Sequence, residues 1–269
     1  MHSNSFAASQ PALDDDPTVR RAVRRVLVSV FDKTGLERLA ESFVRSGVQV
    51  VSTGGTRVAL ERLGLSVEDV AEVTGFPEML DGRVKTLHPR IFAGLLARDD
   101  RADDLSALQA HGVGRFDAVI VNLYPFEQAV ARPECPPGEA IELIDIGGPS
   151  LVRAAAKNHR FTAVVSHPSQ YEAFARAVEQ GGTCLADRRR LAAEAFARTA
   201  EYDVAIAGWM RRHAEASTVA LSPHSHPPAI AAESSGLPER LALSLERRLP
   251  LRYGENPHQP AALYAPVGT

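Results

Sequence analysis

The succession of strand, polar turn, helix and strand within residues 26–51 limits what this chain can become more than any other feature. Val26-Leu27-Val28-Ser29-Val30-Phe31 is a short β-branched run, and Asp32-Lys33-Thr34-Gly35 ends it. From Leu36 the apolar period lengthens, with Leu36, Leu39, Ala40, Phe43 and Val44 on one helical face, and Gly47 stops it. Val48-Gln49-Val50-Val51 is again a strand and runs into Ser52-Thr53-Gly54-Gly55-Thr56. Two strands joined through a helix lie parallel, and a parallel sheet needs helices on both faces. The fold class that follows is α/β, a parallel sheet with flanking helices.

The rest of the chain repeats the alternation. A helix runs through Val58, Leu60 and Leu63 to Gly64, and a weaker strand covers 65–70. Helices are expected over 92–97 and 105–110, and a strong strand over 118–121 leads into Asn122-Leu123-Tyr124-Pro125-Phe126. Pro133, Pro136 and Pro137 mark a loop. A helix over 138–144 is read as broken at Ile146-Gly147-Gly148 and resuming over 151–157, before a strand over 162–166. Residues 188–213 read as one or two amphipathic helices. Residues 1–22 are expected to be a disordered tail, and the Ser/Pro/His/Ala-rich stretch 216–238 a linker.

A formal net charge of −3 and the lack of a long basic run argue against a nucleic-acid binder or a membrane-surface protein. No stretch reaches the length of a membrane span, and the N-terminus has no apolar leader core. Cys135 and Cys184 have no Cys or His neighbours at ligand spacing, so neither a disulfide framework nor a zinc site is indicated, and the chain reads as cytoplasmic.

Ligands of an open α/β sheet bind beyond the carboxyl ends of its strands. By that rule Ser29, Lys33 and Thr34, then Ser52, Thr53, Gly54, Gly55 and Thr56, then Asn122 and Tyr124 meet on one rim. Small hydroxylated residues and glycines at helix starts suit an anion, although each turn alone is also ordinary cap chemistry. Gly82-Arg83-Val84-Lys85-Thr86-Leu87-His88-Pro89 adds two cations, and if extended it would point Arg83 and Lys85 the same way. With no GxxxxGK[ST] or GxGxxG present, a phosphorylated small molecule fits better than a nucleoside triphosphate or a dinucleotide. Asp145, between two isoleucines, needs a partner, and Lys157 is the candidate. His88 and His159 read as structural histidines.

Seven stretches, SVFDKTGL (29–36), STGGT (52–56), TGFPEMLDGRVKTLHP (74–89), NLYPF (122–126), IDIGG (144–148), RAAAKNH (153–159) and LRYGENPHQ (251–259), resemble the bifunctional purine-biosynthesis family that carries IMP cyclohydrolase and AICAR transformylase activities. The resemblance implies a methylglyoxal-synthase-like cyclohydrolase domain over 23–215, with C-terminal helices. After the linker, 239–269 would be the start of a truncated transformylase domain. The implied reaction closes the purine ring of 5-formamidoimidazole-4-carboxamide ribonucleotide to IMP and water, with no cofactor or metal.

By the same resemblance Lys85 and Tyr124 stabilise the formyl oxyanion, while Asp145 and Lys157 orient the carboxamide and shuttle protons. Ser29, Lys33, Thr34, Ser52, Thr53, Gly54, Gly55 and Thr56 hold the 5′-phosphate, Arg83 and Thr86 lie close by, and Asn122, Gly147 and Gly148 complete the substrate contacts. Formyl transfer, with 10-formyltetrahydrofolate as donor, is expected only where the rest of the transformylase is present, and so is a homodimer. Phe31 and Phe92 depart from the family pattern, which removes a hydroxyl at one position and a histidine at the other. A regulatory module binding phosphorylated effectors is the alternative, needing the phosphate turns alone; methylglyoxal synthase itself calls for a different set of carboxylates.

Overall fold

Five strands, β1 (Arg25–Val30), β2 (Gln49–Ser52), β3 (Val67–Asp69), β4 (Ala118–Asn122) and β5 (Ala163–Val165), form one parallel sheet in the order β3-β2-β1-β4-β5. This computed structural model describes residues 19–80, 82–132, 134–216 and 245–266. Most of the tail expected over 1–22, the linker expected over 216–238 from 217 onward, residues 239–244 and 267–269, Asp81 and Pro133 lie outside the described residues.

Alternation along the strands builds two cores. Val26, Val28 and Val30, with Ile120 of β4 beside them, face Leu39, Phe43, Tyr171 and Phe174, while Leu27, with Val119 beside it, faces Ile91, Leu95 and Leu151. Helices α1 (Leu36–Ser46), α2 (Gly54–Arg62) and α9 (Tyr171–Glu179) supply residues to the first core. The second takes residues from α3 (Val70–Thr74), α4 (Pro89–Leu96), α8 (Gly147–Lys157) and the start of α10 (Leu185–Ala216). Each large side chain sealed in this way contributes about 1.5–3 kcal/mol, and Phe43→Ala, which would leave a cavity under α1, costs about 3–5 kcal/mol. Gly47 ends α1 in the left-handed conformation at φ 64°, its N–H donating to Phe43 O and Val44 O. The connections also include α5 (Ala102–Ala110), α6 (Phe126–Val130), α7 (Pro137–Glu142) and a short 3-10 turn, Pro168–Gln170.

Several boundaries differ from those read in the sequence, each for a local reason. The strand expected over 65–70 is β3 alone, because the Asp69 carboxylate accepts from Ala71 N at 2.8 Å and opens α3. The helix expected from Phe92 starts at Pro89, with His88 as its cap. Ile146-Gly147-Gly148 does not break a helix but begins α8, since a first turn has no intrahelical use for the N–H that Pro149 lacks. Residues 185–216 form one helix.

The chain divides into two compact units: up to Pro125 with Glu134–Thr199, and Phe126–Pro133 with the residues from Ala200 onward. In the second, Phe126 lies edge-on to Tyr202 at 6.2 Å and to Trp209 at 6.0 Å. That unit also contains an antiparallel pair, β6 (Leu245–Leu251) and β7 (Ala261–Pro266). LRYGENPHQ runs from the end of β6 into the turn, closed by Gly254 N donating to Gln259 O at 2.9 Å.

Candidate active site

The strand order reverses direction between β1 and β4, whose last residues, Val30 and Asn122, are register partners. A crevice opens there because the connections from the two strands leave toward opposite sides. Asn122 fixes the first turn on its rim. Its Oδ1 accepts from Phe31 N at 2.7 Å and Asp32 N at 2.9 Å, and its Nδ2 donates to Asp32 O at 2.7 Å and Tyr171 OH at 3.1 Å. Asp32 in turn accepts from Thr34 N at 2.9 Å, and bonds from the Thr34 hydroxyl and amide hold its carboxyl below the usual range. Lys33 stays exposed, with Nζ on Phe31 O at 3.2 Å, and Ser29 is half-buried at the end of β1.

The second turn opens α2. Ser52 Oγ donates to Val28 O at 2.7 Å, and Thr56 Oγ1 accepts from Val30 N at 3.1 Å and donates to Val30 O at 2.9 Å. The side chains of Ser52, Thr56 and Asn122 therefore tie β1 to its neighbours, a scaffold role beside the substrate contacts expected of these residues. What the turn offers outward is backbone. Among the described residues α2 has no side-chain cap, because the Thr53 hydroxyl turns to Glu78 Oε2 at 3.4 Å instead. Its first amides, at Gly54 and Gly55, lie at the positive end of the helix.

The third element is the segment carrying Arg83 and Lys85, and it is a tight turn rather than extended. Met79 and Val84 exchange backbone bonds of 3.1 and 3.3 Å around Leu80 at φ 54° and Gly82 at φ 87°. The turn separates the two cations that an extended segment would have aligned. Arg83 makes a bidentate pair with Glu142 of α7 at 3.1 and 2.6 Å, both groups exposed. Lys85 is half-buried and its charge acts on Asp145. His88 Nδ1 accepts from Arg90 N at 3.2 Å, the structural role read for it, and His159 Nδ1 lies 3.0 Å from Ala156 O.

Asp145 sits just ahead of α8. Its Oδ1 accepts from Gly148 N at 2.8 Å, and a Cβ at Gly148 would lie 2.1 Å from Oδ2. Burial raises its pKa; the Gly148 amide, the Lys85 charge and the Gly147 amide pull the other way. Thr86 is buried, and a Cβ at Gly147 would lie 3.1 Å from its Oγ1. The Tyr124 phenol is pushed up by burial first, then by the charges of Asp145 and Glu78, so it stays a proton donor. Phe31 packs its ring 5.0 Å from that of Tyr124, and Phe92, partly buried, packs against the second core.

Lys85, Tyr124, Asp145, Thr86, Gly147 and Gly148 are thus gathered beside the turns that follow β1 and β2. Lys157 is not. It is exposed at the far end of α8, about 15 Å of helix from Gly147, and in the last turn its charge complements the helix dipole. Among the described residues a cation whose charge acts on Asp145 is Lys85, in place of the Lys157 pairing expected from the sequence. Glu78 is the site residue that sequence reasoning passed over. A lone glutamate in a loop reads as solvated surface, and its only signal was its place inside TGFPEMLDGRVKTLHP.

Residues 155–269 match the family model described as AICARFT/IMPCHase bienzyme, and residues 35–150 match the MGS-like domain model. The bifunctional purine biosynthesis protein PurH of Mycobacterium marinum is 50% identical over 250 residues, covering 93% of this chain and 45% of that protein. PurH of Rhodopirellula baltica is 52% identical over 244 residues, covering 90% of this chain and 43% of that protein. The chain therefore spans less than half the length of the curated relatives it matches. A crystal structure of ForH superposes with a TM-score of 0.62 at 34% identity, covering 68% of this chain and 95% of that one.

Proposed function

The chain belongs to the AICARFT/IMPCHase bienzyme family, and from that premise we propose that it is an IMP cyclohydrolase, closing the ring of 5-formamidoimidazole-4-carboxamide ribonucleotide to give IMP and water. The observation that carries this reading is the gathering of Lys85, Tyr124 and half-buried Asp145 beside two turns that present a cation and helix-start amides.

Both reacting groups belong to one molecule, so the protein's work is to hold them together and move charge. Lys33 and the amides of Thr53, Gly54 and Gly55 take the 5′-phosphate, with Ser29 at the floor and Arg83 at the mouth, and Thr34 shapes the first turn through its bonds to Asp32. Ser52, Thr56 and Asn122 hold those turns in place. The carboxamide nitrogen attacks the formyl carbon, and Lys85 and the Tyr124 hydroxyl donate to the oxygen that becomes negative. Asp145 accepts from the carboxamide N–H and takes its proton as the C–N bond forms. The former formyl oxygen takes up two protons in all, the one that Asp145 removed and one from the formamide N–H, and leaves as water as that nitrogen forms a double bond to the new ring carbon. Gly147 and Gly148 let the nucleotide base approach Thr86 and Asp145 closely.

The remaining expectations follow the same reading: a cytoplasmic enzyme of 23–215, a ribonucleotide as its partner with no nucleic acid or membrane, no metal or cofactor in ring closure, and a homodimer in a full-length form. Formyl transfer from 10-formyltetrahydrofolate belongs to that longer form. No helix among the described residues is long and apolar enough to cross a membrane. An effector-binding module would need the phosphate turns without the cluster behind them.

The deciding assay supplies the formylated ribonucleotide to the purified chain and measures IMP. Formation of IMP, lost at least about 100-fold in Lys85→Ala, is the result expected. A folded chain that binds the nucleotide and makes no IMP sinks the enzyme reading in favour of the module, and methylglyoxal released from a triose phosphate would replace it with the other reaction of this fold.

A further inference from the structure

Glu78 has no part in the chemistry above, yet it touches both ends of the site. Its Oε2 accepts from the hydroxyl of Thr53, at the phosphate end, at 3.4 Å. Its other oxygen lies over Gly82, where a Cβ would meet Glu78 Oε1 at 2.6 Å and Lys85 Nζ at 3.7 Å. The carboxylate therefore stands between the helix-start amides and the ammonium assigned to the formyl group. Gly82 keeps that space open, and its φ of 87° independently disfavours any side chain there. Glu78 is exposed, so both oxygens can be reached from the crevice while one edge stays tethered to Thr53.

A 5′-ribonucleotide laid with its phosphate at Thr53 and Gly54 and its base toward Lys85, Tyr124 and Asp145 passes its sugar through that position. An ionised carboxylate only accepts hydrogen bonds, and a ribose diol supplies two donors of the matching kind; an acidic residue reading ribose hydroxyls is a recurrent solution at such rims. Resting on the cyclohydrolase reading for the direction of the nucleotide, we propose that Glu78 is the residue that recognises the ribose hydroxyls and makes the site selective for ribonucleotides over deoxyribonucleotides. The tether to Thr53 links sugar recognition to the phosphate turn, so a sugar without hydroxyls leaves the carboxylate with water alone.

The test is calorimetric and needs no turnover. IMP and its 2′-deoxy and 3′-deoxy forms are titrated into the full chain, into Glu78→Ala and into Glu78→Gln, which keeps the side chain's shape and one acceptor oxygen without the charge. Wild type binds IMP about tenfold or more tighter than at least one deoxy form. In Glu78→Ala the affinity for IMP falls to that of the deoxy form, whose own affinity is unchanged, and Glu78→Gln loses part of the preference. Thermal melts show whether each variant is folded, and Glu78→Gln carries the test if Glu78→Ala is not. A preference that survives both substitutions, an equal loss for all three nucleotides, or a wild type that binds them equally overturns the assignment of Glu78 and leaves the cyclohydrolase reading standing. A wild type that binds none of the three nucleotides overturns the cyclohydrolase reading, and the assignment falls with it.

Discussion

Asp145 and Lys157 stand at opposite ends of one helix. Asp145 precedes the first turn of α8 and Lys157 is its last residue, so about 15 Å of helix lies between Gly147 and Lys157. A lysine side chain cannot cover that distance, whereas the charge of Lys85 is felt at Asp145. Lys157→Ala is expected to keep kcat within about threefold and to cost about 0.3–1 kcal/mol of stability through the lost interaction with the helix end. Lys85→Ala is expected to lose at least about 100-fold in kcat. Steady-state kinetics at saturating substrate with urea unfolding of both variants checks the contrast; a Lys157→Ala enzyme as impaired as Lys85→Ala would refute it.

Gly148→Ala should be as damaging as removing a reacting group. The added methyl would overlap Asp145 Oδ2, at 2.1 Å, and the side chain of Leu123, at 3.1 Å. The carboxylate is the group with room to yield, so it rotates out and gives up the bond from Gly148 N. Activity is expected to fall at least about 100-fold. Kinetics together with a structure of the variant reads this directly, the sign of success being a displaced Asp145 in a fold otherwise unchanged.

Much of the sheet was legible because β1 and α1 differ in apolar period, and Gly47 punctuates them. The three rim turns could be read for the same reason, each following a strong strand. Where each side chain spends its hydrogen bonds was not legible. Ser52 bonds Val28, 24 residues away, and Thr56 bonds Val30, 26 residues away, so hydroxyls that look like ligands also make long-range scaffold contacts. The pairing of Asp145 failed on a similar point. Taking Gly147-Gly148 as a break hid the fact that one unbroken helix separates Asp145 from Lys157. Glu78 escaped notice because only the folded turn around Gly82 brings it beside Lys85.

Asn122 offers a test of scaffold against ligand. Asn122→Ala strips Phe31 N and Asp32 N of their shared acceptor and removes the donor to Asp32 O. Stability should drop by about 1–3 kcal/mol, the usual cost of leaving such groups unpaired. With the phosphate turn loosened, KM should rise more than kcat falls. Urea unfolding and a KM-against-kcat comparison provide the check, and full stability in Asn122→Ala would contradict the scaffold role.

The pH dependence of stability follows from Asp145. Its folded pKa lies above the ordinary 3.8, chiefly because burial penalises the anion, with the Gly148 amide and Lys85 only partly offsetting this. A carboxyl raised on folding favours the folded state while it is protonated in both states, and that advantage disappears as pH rises through the folded pKa. At neutral pH the ionised group is therefore a source of instability retained for its chemistry. Asp145→Asn removes the charge and can still accept from Gly148 N, so it should be more stable than wild type at pH 7 by about 0.5–2 kcal/mol while losing ring closure. The gain should shrink as pH falls through the folded pKa and vanish below 3.8, where the wild-type carboxyl is protonated folded or unfolded. Urea unfolding of both proteins across this range measures it. A gain that stays constant with pH would mean that burial of the Asp145 charge is not its source.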